Sequence, residues 1–166
     1  GTNVRYGGAG MGTEEVSFES YCLRYNTDQA CAEALFVYRW AEGFRCPACS
    51  HPFYYVIRTR RLPLYQCRSC NHQTSVIAGT IMEGSRTSLP RWFQAIYLLS
   101  QNSGISATQL AEVIQVTYKT AWLIAHKIRN AMKKADANEL LSGTVRVDRI
   151  YYGYEYFQDA QQPLVI

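Results

Sequence analysis

The sequence predicts an α+β fold assembled from small modules, and three observations carry that expectation. Two Cys-x-x-Cys pairs, Cys46/Cys49 and Cys67/Cys70, lie among short runs suited to hairpins. Two capped, apolar-periodic segments follow one another between Ser106 and Lys133 with a very short break between them. Residues 144–150 alternate as a strand. A chain of 166 residues holds one ordinary domain or two or three very small ones. The expected divisions are a leader over 1–13, helices over 14–43, a cysteine-bearing ribbon over 44–82, a helical domain over 88–135 and further strands over 142–166.

The start, Gly1 to Gly12, is rich in glycine and has no apolar period, so it reads as a disordered leader, with Met11 a candidate natural start. Ser17–Arg24 is a short helical stretch. Asn26 or Thr27 can cap a second helix running to about Trp40, with Ala30, Ala34, Val37 and Ala41 at helical spacing and Gly43 ending it. Cys22 and Cys31 fall in these helices and read as small buried apolar residues.

Seventeen residues separate the two cysteine pairs. Two residues between cysteines let both sulfurs of a tight knuckle point at one ion, and two knuckles complete a tetrahedral Zn²⁺ site. The competing reading is two disulfides or four buried thiols. Four thiolates leave no open position, so the zinc expected on Cys46, Cys49, Cys67 and Cys70 is structural rather than catalytic. Asn71, after the second pair, tolerates a left-handed backbone, whereas Ser50 at the equivalent place is a poorer fit. Tyr54–Ile57 and Ser75-Val76-Ile77 are strand-like, which a zinc ribbon needs, and Arg58, Arg60 and Arg61 lie on the connection between knuckles, where they are candidate DNA-contacting side chains. A ribbon with so small a core is expected to fold only with its metal.

Ser88 to Asn102 reads as a helix capped by Ser88, with Pro90 in its first turn and Trp92, Phe93, Ile96, Tyr97 and Leu99 making it apolar on more than one side. Ser106 and Gln109 form a capping box, and Ile105 can staple onto Leu110. That helix breaks at Gln115-Val116, and Thr117 caps another over about Tyr118–Lys133, with Ala121, Ile124, Ala125, Ile128 and Met132 on one face. Such a pair has the pattern of a helix-turn-helix. Tyr118, Lys119, Thr120, Leu123, Lys127 and Asn130 are then the side chains offered to a DNA major groove, while Trp122 and His126 read as packing or phosphate-contacting residues beside Arg129. An ordinary helical hairpin with a solvated lysine face is the plainer alternative. A polar hinge is expected over Ala135 to Ser142.

The net charge of +4 is unevenly spread. Residues 1–42 carry three basic and six acidic side chains, and residues 136–166 carry two and five. Residues 43–91 carry seven basic side chains against one acidic, and residues 92–135 carry five against one. A basic block around a candidate zinc site points to a polyanionic partner, double-stranded DNA foremost. No apolar run reaches the length of a membrane span and no signal peptide is evident, so no membrane partner is expected and a cytoplasmic setting is.

Read in order, Cys46-Pro47-x-Cys49, Cys67-x-x-Cys70, Gly79-Thr80-Ile81, Trp92-Phe93-Gln94-Ala95-Ile96-Tyr97, Lys119-Thr120-Ala121-Trp122 and Val147-Asp148 resemble the bacterial insertion-sequence transposases that join a zinc ribbon to a DDE (RNase H-like) catalytic domain. The resemblance spans roughly residues 17–166. It implies that the ribbon and helix-turn-helix bind the element's terminal repeats, that residues 142–166 open an incomplete RNase H-like α/β domain, and that the setting is the bacterial nucleoid. It also implies that Asp148 is the first catalytic carboxylate, with Mg²⁺ used only by the full-length enzyme for strand cleavage and transfer. Eighteen residues follow Asp148, and Glu155 and Asp159 lie too close to it to serve as the remaining carboxylates. Arg149 stands where the family usually has glutamate. A chain of these residues alone is therefore expected to bind DNA without cutting it. Two alternatives stay open: a non-enzymatic zinc-ribbon/helix-turn-helix regulator or domesticated relic, and an RNA-binding ribbon. A homo-oligomer is compatible with each.

Overall fold

Capping chemistry sets where the first helices begin. The Ser17 hydroxyl accepts from the Ser20 N–H to start α1 (Phe18–Arg24), and the Thr27 hydroxyl accepts from the Ala30 N–H to start α2 (Asp28–Arg39). The computed structural model describes residues 4–6, 14–102 and 104–139, with side-chain surroundings for 17–102 and 104–133. Asp148 and the strand expected around it lie outside the described residues. Within the stretch expected to be a disordered leader, β1 (Val4–Tyr6) pairs antiparallel with β2 (Glu14–Val16).

α2 buries a different face from the one its alanines suggest. Cys31, Ala32, Leu35 and Arg39 are buried, whereas Val37 is 65% exposed and Ala41 is solvent-facing. The larger Leu35 and the aliphatic stem of Arg39 bury more apolar area than the alanine stripe could, and that decides which way the helix rolls. Phe36, half-buried at its edge, joins Trp40, Phe44, Tyr54 and Tyr65 in an aromatic seam with ring centroids 4.7–5.7 Å apart.

Beyond that seam, β3 (Tyr54–Ile57), β4 (Leu64–Cys67) and β5 (Gln73–Ser75) form an antiparallel sheet in the order β3-β4-β5. The run Ser75-Val76-Ile77, expected as a strand, contributes only Ser75. Val76 and Ile77 turn away, with Val76 buried in the core and the Ala78 N–H donating back to the Ser75 carbonyl. The Arg39 guanidinium donates to the Ser75 and Ala78 carbonyls, so a side chain of α2 satisfies backbone acceptors that leave the sheet.

α3 (Leu89–Gln101) is the central helix, packing on α1, α2, α4 and α5. Its N-terminus corrects the expected cap: Ser88 makes no side-chain capping bond, and Asp28 of α2 supplies the acceptor, taking the Leu89 N–H at 2.8 Å. The same carboxylate oxygen accepts from Arg61 at 3.0 Å, tying ribbon, α2 and α3 at one point. α1 docks through Tyr21, whose hydroxyl donates to the Phe93 carbonyl at 2.8 Å. α4 (Ala107–Ile114) carries the full capping box between Ser106 and Gln109. α5 (Tyr118–Glu139) starts at Thr117, whose hydroxyl accepts from the Thr120 N–H, and it runs through the first part of the expected hinge.

A single buried cluster runs from Cys46, Tyr65 and Val76 through Leu35 and Trp92 to Leu110 and Ile128. The ribbon is therefore continuous with the helical part in packing as well as in sequence.

The turn between α4 and α5 hinges on Gln115, which adopts a left-handed φ of 57° as the C-cap of α4. A non-glycine residue there costs about 1–2 kcal/mol, of which glycine's greater unfolded-state freedom cancels roughly half. Gln115→Gly is therefore expected to stabilise the protein by about 0.5–1 kcal/mol in urea titration. A destabilised variant would show that the Gln115 side chain holds the turn by contacts of its own.

Candidate metal centre and nucleic-acid interface

The two cysteine pairs occupy near-duplicate loops. In the first, the Cys46 N–H donates to the His51 carbonyl (3.0 Å), Ser50 N–H to the Cys46 carbonyl (2.8 Å) and Ala48 N–H to the Cys46 sulfur (3.4 Å). In the second, Cys67 N–H donates to the His72 carbonyl (2.9 Å), Asn71 N–H to the Cys67 carbonyl (3.1 Å) and Ser69 N–H to the Cys67 sulfur (3.3 Å). Ser50 and Asn71 both take left-handed backbones, with φ of 66° and 63°. Ser50 thus holds the conformation for which its side chain looked less suited, because the loop's hydrogen bonds impose it. The repeat Cys-x-x-Cys-polar-His, in Cys46–His51 and Cys67–His72, was present in the sequence as the signal of this duplication.

These loops bring four sulfurs together from opposite directions. Cys46 Sγ lies 3.6 Å from Cys70 Sγ and Cys49 Sγ lies 3.5 Å from Cys67 Sγ, and all four sulfurs fall within 4.8 Å of one another. Zn–S bonds of about 2.3 Å in a tetrahedron space their sulfurs by about 3.8 Å, so the donor set and its dimensions fit a closed structural zinc site. All four cysteines are free thiols, which sets aside the disulfide reading.

The thiols do not titrate alike. Burial opposes ionisation of Cys67, but N–H groups of Cys70 and Ser69 and the neighbouring thiols outweigh it and bring Cys67 down to about 7. At Cys49 the His51 backbone N–H favours the thiolate, but burial and the hydrogen bonds shared with Cys67, Cys70 and Cys46 prevail and push it up to about 12. Cys67 is thus half-ionised at neutral pH while Cys49 still holds its proton, and a bound dication must displace that proton. Zinc affinity should consequently fall as pH drops throughout the range below the Cys49 value, and one proton more steeply below about 7, with more than one proton released per ion bound. Competition with a chromophoric chelator across pH 5–8 checks this, and a flat profile would contradict thiolate ligation.

Cys31, by contrast, is pushed up to about 12 by burial with Asp28 adding, and its sulfur faces the Tyr25 carbonyl at 3.7 Å; it behaves as the packing residue expected. Cys22 is only half-buried, less enclosed than expected.

The residues expected to face DNA divide in two groups. Arg58 and Arg60 are solvent-exposed on the β3–β4 connection, but Arg61 is engaged by Asp28. On α5, Tyr118, Lys119, Leu123 and Asn130 are exposed, and Thr120 and Lys127 are half-buried at the edge of that face. The Thr120 hydroxyl accepts from Thr117, so it serves the N-cap as well. The buried side is Ala121, Ile124, Ala125, Ile128 and Ala131, with Met132 at its margin. Trp122 departs from a packing role: it is 51% exposed and stacks on His126, with ring centroids 5.3 Å apart and planes 5° from parallel. Arg91 of α3 donates to the Ile114 carbonyl at 3.1 Å and Arg129 of α5 to the Ile105 carbonyl, locking both ends of α4. The helix pair is thus tied at both ends of α4, by Arg129 and by an α3 arginine that the sequence pattern did not single out.

No helix among the described residues is long and apolar enough to cross a membrane. No solved structure matches the chain. An uncharacterized protein in the transposable element ISH50 of Halobacterium salinarum is 30% identical over 129 residues, covering 75% of this chain and 42% of the relative. The chain therefore spans about two fifths of the length of that curated relative. Residues 26–73 match the transposase zinc-ribbon domain family, a segment that begins beside the Thr27 cap and ends in β5, so it takes in α2 together with both knuckles. Residues 26–73 are thus similar to transposase zinc-ribbon domains, and three quarters of the chain is similar to a protein carried by a transposable element.

Proposed function

We propose that this chain is the DNA-recognising portion of a DDE transposase, in which the zinc ribbon and the α4–α5 pair bind the terminal repeats of a mobile element. The observation that carries the reading is the exposed face of α5. It begins at a capped N-terminus with Tyr118 and Lys119, continues through Trp122 and Leu123 to Asn130, and stands on a scaffold pinned by Arg91 and Arg129. In a helix-turn-helix the N-terminal residues of the second helix reach base edges, and apolar side chains cover thymine methyl groups. The excess of basic over acidic side chains across residues 43–135 supplies the phosphate attraction that positions such a helix.

In the whole enzyme, Asp148 would hold one of the two Mg²⁺ ions that support strand cleavage and transfer. A regulator built from the same DNA-binding parts is the second reading, favoured by Arg149 beside Asp148. A downstream reading frame with two further carboxylates on a strand and a helix supports the transposase, and its absence supports the regulator.

Lys119→Ala tests the interface itself. It is expected to cost about 1–3 kcal/mol on the preferred duplex and to relax preference at one position, as loss of a base contact does. A uniform loss across all sequences, with a salt slope lowered by about 1, would reassign Lys119 to phosphate.

A further inference from the structure

The ribbon sheet has two faces, and α2 uses only one. Tyr54, Tyr65 and Thr74 point toward the aromatic seam and the core. Strand alternation places Phe53, Tyr55, Gln66, Arg68 and Gln73 on the other side. The register sets Tyr55 opposite Gln66 and Gln66 opposite Gln73, and the Arg68 N–H donates to the Phe53 carbonyl at 3.1 Å, which puts those two side by side as well. Phe53, Tyr55, Arg68 and Gln73 on this side are all exposed. Phe53 is 61% exposed and Tyr55 54% exposed, although the Arg68 guanidinium lies 4.5 Å from the Tyr55 ring centre.

Two large rings left in water, one on a four-residue strand and one just before it, are an uncommon use of aromatic side chains. Their surroundings say what would cover them. Gln73 donates to Gln66 (3.1 Å) and Gln66 to Asn71 (3.4 Å), so a row of amides crosses the sheet beside the rings, each retaining further donors and acceptors. The charge on this face is cationic: the Arg68 guanidinium lies over the Tyr55 ring, and Glu83 is the sole acid in residues 43–91. An apolar protein partner would gain nothing from that charge, and an acidic peptide would leave the rings uncovered. A flexible polyanion carrying flat, hydrogen-bonding rings satisfies all three elements together: stacking on the aromatics, amides to base edges and guanidinium to phosphate. In a duplex the base faces are already stacked on one another, so the surface suits unpaired bases.

We propose that the outer face of the ribbon sheet, centred on Phe53, Tyr55 and Arg68, binds single-stranded DNA by stacking unpaired bases on its rings. The inference rests on the DNA-binding reading above and extends it: a protein that recognises an element's end by α5 would hold frayed or nicked strands beside that end on its ribbon.

The test uses the zinc-loaded chain, a labelled oligothymidylate, an oligouridylate of the same length, and a duplex. Phe53→Ala and Tyr55→Ala are expected to weaken oligothymidylate binding by roughly 5- to 150-fold each, as loss of one stacked base does, while Tyr55→Phe retains it. Duplex affinity and zinc content should stay unchanged in all three, showing that the variants are folded. Unchanged oligothymidylate affinity in the Phe53→Ala/Tyr55→Ala double variant would overturn the inference, and so would equal losses on duplex and single strand. Tighter binding of oligouridylate than oligothymidylate would overturn the DNA assignment. Binding of duplex without single strand defeats this inference alone, whereas binding of neither defeats the DNA-binding reading too.

Discussion

Replacing Cys46 by serine is expected to abolish stoichiometric zinc binding and to melt the ribbon while leaving the helical part folded. Cys46 is buried, and its sulfur closes the site against Cys70. In small zinc domains the metal contributes about 10–16 kcal/mol at neutral pH, as much as the entire stability of an ordinary domain. The three strands are three or four residues long, and their inner face is a few aromatic rings shared with α2. Sheet and rings cannot offset the ordering entropy of two knuckles without the ion. α3 packs on α1, α4 and α5 directly, so Tyr21, Trp92, Leu110 and Ile128 keep one another as neighbours when the ribbon end of the shared cluster is lost. Helical circular dichroism should therefore fall only in part, while amide signals of residues 44–76 lose dispersion. Global unfolding would show that the aromatic seam couples the two halves more tightly than their contacts imply, and an unchanged ribbon would deny the metal its structural role.

Trp92→Ala is the second large effect. Trp92 is fully buried on the central helix, and its indole N–H donates to the Ser85 hydroxyl at 2.9 Å. Truncation opens a cavity among helices that all lean on α3 and removes one of two N–H donors to that hydroxyl, which keeps the Thr87 N–H at 3.2 Å, for an expected loss of about 3–5 kcal/mol. In a chain of this size each kcal/mol moves the midpoint by about 2–4 °C, so the melting temperature should drop by about 6–20 °C. Zinc stoichiometry at low temperature should survive, which separates this variant from Cys46→Ser. A shift under 2 °C would place Trp92 outside the core.

Much of this architecture was legible because local chemistry decides it. The capping box of Ser106 and Gln109, the Thr27 and Thr117 caps and the cysteine spacing are interactions within a few residues, and each appears where the sequence places it. What could not be read depends on partners distant in sequence. Leu35 and Arg39 outweigh an alanine stripe only because a sheet and a turn lie against them. Asp28 caps a helix sixty-one residues further on, so the local candidate Ser88 looked sufficient. In both cysteine loops the carbonyl of the first cysteine accepts the N–H four residues on, from Ser50 in one and Asn71 in the other, and that bond holds the left-handed turn whichever residue stands there. The outer face of the ribbon was hidden for another reason. Phe53 and Tyr55 flank the seam residue Tyr54 in sequence, and alternation assigns faces only once the register is known.

The family match shows why α2 belongs with the ribbon. The matched segment includes Leu35, Phe36 and Trp40, which cover the inner face of the sheet, so the zinc module is helix plus ribbon rather than ribbon alone.

The measurement that tests the central claim most directly is fluorescence anisotropy of the zinc-loaded chain on duplexes taken from either flank of its gene, against shuffled duplexes of equal composition. The account predicts binding to a flanking inverted repeat at least about 10³-fold tighter than to shuffled DNA, falling steeply with salt. Equal affinity for both duplexes would contradict it.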